Sequence, residues 1–192
     1  MIALVIKRLY LMFTKIFGKK KLKEDKLANI FVNSILQAVD DGFSDIVGLI
    51  KESPEFINAP EIDTENDSKF LLIILSANLK EIPKHLEAHQ DNRLINMIIT
   101  KLCGVFDVNF DKLEGILREY QSYLSRVNHP SNNNLYAMSK AVFFKYELGQ
   151  YQADYFKNMN VPNPLFLKRL DEAMKLFLFN WAATKADFQI VE

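Results

Sequence analysis

The chain has 192 residues, 49% of them hydrophobic and 25% charged, with a formal net charge of zero. That balance excludes a disordered chain, and the length suits one domain whose core needs no covalent staples. The single cysteine, Cys103, excludes an intramolecular disulfide and a four-cysteine zinc site, and the lack of cysteine pairs fits a reducing, cytoplasmic compartment. Glycine and proline number only six each, which favours long helices over many short strands and turns. Fifteen phenylalanines point to an aromatic core.

The zero net charge hides a division. Residues 1–26 hold eight Lys/Arg and two carboxylates, a net of +6, and residues 27–192 hold 16 and 22, a net of −6. A basic arm is therefore attached to an acidic helical domain, with the boundary at residue 26. Wound as a helix over 2–17, the arm places Ile2, Val5, Ile6, Leu9, Phe13, Ile16 and Phe17 on one half of the wheel. Lys7, Arg8 and Lys15 fall on the other half, and Lys19, Lys20 and Lys21 close the segment. Such a basic amphipathic helix suits an anionic membrane interface or an acidic partner. Sixteen residues reach about 24 Å, short of a bilayer core, and the charges interrupt the apolar run. The same interruption removes the uninterrupted stretch of a secretory signal, and Ile2 gives no myristoylation site. Met12 offers an alternative start with a shorter arm. Nucleic acid is disfavoured, because aliphatics interleave the arm's cations and the body repels phosphate.

In the body, Leu27, Ile30, Phe31, Ile35 and Val39 recur at helical spacing. Gly42 is expected to end that helix, with Ser44 capping a short successor before Pro54. Residues 53–66 read as a loop. Their alternating acids lack the glycine and the terminal glutamate of an EF-hand, and Asp67 is placed to cap the next helix. Phe70 to Leu75 is apolar all round and predicts a centrally buried helix, which Pro83 kinks or restarts. A helix over 92–106 follows. Asn109 then opens a helix whose Phe110, Leu113, Leu117, Tyr120, Leu124 and Val127 form a short heptad seam, suited to a bundle neighbour. Leu135, Met138, Val142 and Tyr146 form the next apolar face. Tyr151, Tyr155 and Phe156 read as core in preference to a ligand pocket. Asn163-Pro164 is a strong helix start, and the pattern from Phe166 runs on to Trp181. Phe188 to Val191 reads as a tail. The expected fold is all-α: a single-domain bundle of six or seven helices carrying an N-terminal basic amphipathic helix.

One chemical constellation stands out. Glu81, His85 and His89 are spaced by four, so a straight helix would align them as an edge for a divalent transition metal, with His129 as a possible fourth ligand. Pro83 lies inside the run, and the order differs from that of zinc proteases. A solvated surface is the competing reading. Cys103 reads as a small buried hydrophobe, and Glu114 with Arg118 as a surface ion pair. There is no phosphate loop, nucleophile elbow or kinase signature. The sequence thus leans away from an enzyme. It favours a cofactor-free interaction protein (an adaptor, inhibitor or assembly factor) that binds another protein and is held peripherally at the inner face of a membrane. The candidate contact residues are Lys7, Arg8, Phe13, Lys15, Phe17, Lys19, Lys20 and Lys21. The alternative is a helical-bundle metalloprotein using Glu81, His85 and His89.

Overall fold

The computed structural model describes residues 19–192. Residues 1–18, with Lys7, Arg8, Phe13, Lys15 and Phe17 of the expected contact set, lie outside the described residues. The described part is an all-α bundle. Six helices have eleven residues or more: α1 (Glu24–Lys51), α2 (Ser68–Glu81), α3 (Gln90–Phe106), α4 (Phe110–Asn128), α5 (Asn134–Lys145) and, after the six-residue α6 (Asp154–Met159), α7 (Pro164–Met174). The short α8 (Trp181–Asp187) leads into strand β2 (Phe188–Val191), which pairs in parallel with β1 (Lys20–Lys23).

The centre is α2, packed against α1, α4 and α5. Its apolar run is buried as the pattern requires, from Phe70 through Ile73, Ile74 and Leu75 to Leu79. Phenylalanine rings join the layers. Phe70 meets Phe43 of α1 at 5.3 Å and Phe177 edge-on at 5.0 Å, and Phe166 of α7 meets Phe143 of α5 at 6.3 Å. The heptad seam of α4 works as a bundle face. Leu113, Leu117 and Leu124 are buried, and the helix lies against α2 and α5. Caps match the residue chemistry. The Asn109 side chain accepts from the Asp111 and Lys112 N–H groups, and that of Asn163 accepts from Leu165 N–H with Pro164 at the first helical position.

Four local expectations are corrected. Gly42 does not end α1, which continues unbroken for 28 residues, so Ser44 is interior. The glycine serves packing: a Cβ there would stand 2.8 Å from Phe177 Cζ. Asp67 occupies the position before α2 but makes no side-chain cap, and Asn66 Oδ1 accepts from Ser68 N–H instead. The helix begun at Pro164 does not reach Trp181. It tightens into a 3-10 turn over Lys175–Phe177 and restarts at Trp181. The break is held by buried Asn78, whose amide donates to Phe177 O at 2.8 Å and whose oxygen accepts from Phe179 N–H at 2.8 Å. Finally, Phe188 to Val191 is no tail. It is a strand because Lys20–Lys23 supplies its partner, in the register Lys20 to Phe188 and Lys23 to Val191. Leu22, between the lysines, is buried. Lys20–Lys26, which the charge division assigns to the arm, thus form β1 and the first turn of α1.

Candidate functional site

Chemistry-bearing side chains gather where the two ends of the described chain meet. Glu24 begins α1 yet is only 2% exposed. Its carboxylate accepts two hydrogen bonds from Arg93 of α3, at 2.8 and 3.0 Å. That guanidinium holds the Glu24 carboxyl below its usual range, against the opposing effect of burial. Arg93 also meets Glu192 at 2.7 Å, so one side chain ties α1, α3 and the residue after β2. Lys101 of α3 adds a pair with Asp25 at 2.7 Å.

Beside this clasp runs the segment between α2 and α3. Glu81 ends α2, a 3-10 turn covers Ile82–Lys84, and His85 closes that turn. His89 begins α3 at a positive φ of 75°. The straight helix needed to align Glu81, His85 and His89 is absent, because Pro83 supplies no N–H to an α-helical ladder and a 3-10 turn with non-helical residues separates α2 from α3. Among the described residues, no group of three or more His, Cys, Asp or Glu side chains is placed to hold a metal ion. His129 lies past the end of α4.

His85 has a different environment. Its ring stacks on Trp181 at 5.0 Å and 12°, and its carbonyl accepts from Lys185 Nζ at 3.0 Å. Burial, followed by the charge of Lys185, lowers its pKa. Lys19 Nζ donates in turn to the Lys185 carbonyl. The expected membrane-contact lysines Lys19, Lys20 and Lys21 are all exposed, on and just before β1. Between the 84–90 segment and β2 runs an open trough of about 1040 Å³. A smaller hollow of about 600 Å³ is lined by both His85 and Trp181 and edged by Asn78, Asn133 and Asn180.

Other singled-out residues fall elsewhere. Tyr155 is 68% exposed, not core, and stands edge-on to Phe156. With Met159, Leu165 and Ile57 it adds exposed apolar surface far along the chain from the arm. The Tyr151 hydroxyl accepts from Glu61 N–H, a structural tie. Cys103 is half-buried with a free thiol. Glu114 and Arg118 pair at 2.8 Å as the spacing predicts. Asp171 is half-buried near Ser139 of α5, and burial raises its carboxyl pKa. No signal in the sequence marks Arg93 as the hub, because its partners lie 69 and 99 residues away.

No family model matches the chain, and no significant match is found among curated proteins or among solved structures. No helix among the described residues is long and apolar enough to cross a membrane.

Proposed function

We propose that this chain is a non-enzymatic interaction protein, an adaptor, inhibitor or assembly factor, that docks on an anionic membrane surface through its basic N-terminal residues and presents its helical body to another protein. The observation that carries this reading is the charge division, +6 over residues 1–26 against −6 over the remainder. The exposed lysines at the start of the fold support it: Lys19, Lys20 and Lys21 are solvent-facing while Leu22 anchors their strand. A basic cluster beside an apolar segment combines two membrane signals, each of which is weak alone. The acidic body turns away from an anionic surface by the same electrostatics, which would set the orientation. Peripheral attachment at the cytoplasmic face follows from this reading.

Vesicle co-sedimentation tests the electrostatic part. The full chain should bind vesicles containing phosphatidylserine, less well as salt rises, because screening shortens the reach of surface charge to about 8 Å at physiological ionic strength. Replacing Lys19, Lys20 and Lys21 by Gln should weaken binding, since each lysine near an anionic surface contributes about 1 kcal/mol. Binding indifferent to both salt and the triple substitution would rule the mechanism out.

A further inference from the structure

Among the described residues, strand β2 has one paired edge and one open edge. Its partner is β1, and none of Lys20–Lys23 lines the trough that flanks β2 on the other side. Phe188 N–H closes α8 on the Thr184 carbonyl. Beyond that, no backbone hydrogen bond runs from Phe188–Val191 to any described residue outside β1. A strand edge with unspent N–H and C=O groups is a template for another strand. The edge is also accessible, since the facing wall, residues 84–90, stands off across the trough.

The trough has a sign. Lys19, Lys84, Arg93 and Lys185 line it against Glu87 and Glu192. Two of these cations already have carboxylate partners, Arg93 with Glu24 and Glu192, and Lys84 with Glu81 at 2.8 Å. The other two do not. Among the described residues, the ammonium of Lys185 donates to the His85 carbonyl and that of Lys19 to the Lys185 carbonyl. Among the described residues, two ammonium groups compensated only by amide dipoles stand beside an open strand edge.

We propose that this edge is a docking site for an extended acidic peptide segment of another protein, which adds as a third strand beside β2 with its carboxylates toward Lys19 and Lys185. Main-chain hydrogen bonds supply the affinity in this mode, and side chains supply the selection. The cationic lining selects the occupant. Residues 1–18 of the chain itself carry Lys7, Arg8 and Lys15 and no carboxylate, so they would add like charge. A second copy paired through its own β2 would bring a second Lys185 against the first. The inference builds on the interaction function proposed above by naming a surface and a partner chemistry. It shares Lys19 with the membrane reading, but Lys185 and the vesicle-free assay belong to the peptide alone, so the two can fail separately.

The test is fluorescence anisotropy in vesicle-free buffer, with the full chain and a labelled peptide of eight alternating Glu and Val residues. The expected result is binding that weakens with salt, and no binding of the matching Lys and Val peptide. Lys185→Glu turns an attraction into a repulsion at an exposed position and should weaken binding roughly tenfold or more at low salt. The same peptide with every backbone amide N-methylated keeps every charge but has no N–H to give the ladder on either edge, and it too should bind at least about tenfold more weakly, since main-chain bonds carry this mode. This arm does not depend on any variant folding. Equal binding of the methylated and unmethylated peptides would overturn the proposal, because charge alone would then explain the affinity. So would absence of acidic-peptide binding at low salt, or self-association of the chain in its place, which would assign the edge to a second copy.

Discussion

Gly42 and Gly48 lie six residues apart in α1 and have opposite surroundings. A Cβ at Gly42 would stand 2.8 Å from Phe177 Cζ and 3.0 Å from Cε1, whereas one at Gly48 meets nothing within 4 Å. Replacing either by Ala removes the same helix penalty, about 1 kcal/mol in favour of folding. The propensity gain therefore cancels in the comparison, and the difference between the two variants isolates the steric term. Phe177 has little room to give way. It is 3% exposed, it meets Phe70 edge-on, and its carbonyl is fixed by Asn78. Forcing a methyl group into a packed site costs about 1–3 kcal/mol. Gly48→Ala should thus stabilise by up to about 1 kcal/mol, and Gly42→Ala should be less stable than Gly48→Ala by about 1–3 kcal/mol. At about 2–4 °C per kcal/mol for a chain of this size, the Tm values should differ by roughly 2–12 °C. Urea unfolding followed by circular dichroism gives the free energies and differential scanning calorimetry gives the Tm values. If Gly42→Ala stabilises as much as Gly48→Ala, the close approach of Phe177 to α1 is wrong, and with it the reason that α1 runs through Gly42.

Arg93→Met leaves the buried Glu24 carboxylate without its guanidinium and should destabilise the fold, read as a lower urea midpoint. The Glu24 contribution has a fixed sign with pH: its folded pKa is depressed, so the stabilisation is present above the ordinary carboxylate value and is lost as pH falls through the folded value. Arg93→Met should therefore lose less stability on acidification than the parent chain. Asn78→Leu strands the Phe177 carbonyl and the Phe179 N–H in a buried setting and should cost about 2–4 kcal/mol, whereas Asn109→Ala, which removes one cap at the surface, should cost only about 1 kcal/mol. His85 also has a depressed folded pKa, so its neutral form favours folding above pH 6.5 and this contribution fades as pH falls below that value. His85→Asn should flatten that part of the stability profile, and a profile unchanged between pH 5 and 7 would remove His85 from the account.

Periodicity revealed the helices well wherever a helix buries one continuous face. The α4 seam, the all-apolar run of α2 and the Asn109 and Asn163 caps are local patterns, and each works in the fold as its residues suggest. Three of the misreadings of the fold share one cause, dependence on a distant partner. Gly42 looks like a helix terminator until Phe177, 135 residues on, explains why no side chain fits there. Phe188–Val191 is too short to announce a strand, and becomes one because Lys20–Lys23 lies alongside. Asn78 gives no local sign that it holds a break about a hundred residues later. For the site, the spacing of Glu81, His85 and His89 counted residues along a helix that Pro83 interrupts. The stacking of His85 on Trp181 and the joining of both chain ends by Arg93 depend on tertiary placement. What the sequence does carry is the electrostatic division, because net charge needs no geometry.

On the proposed function, the N-terminal residues bring the body to an anionic membrane. The most direct measurement is liposome flotation of residues 1–192 beside residues 19–192, on phosphatidylserine-containing and on neutral vesicles. The cut falls before residue 19 because β1 and Glu24 belong to the fold, and a cut at residue 27 would remove them. Only the full chain should float, and only with anionic lipid. Flotation of both chains alike, or of neither, would contradict it.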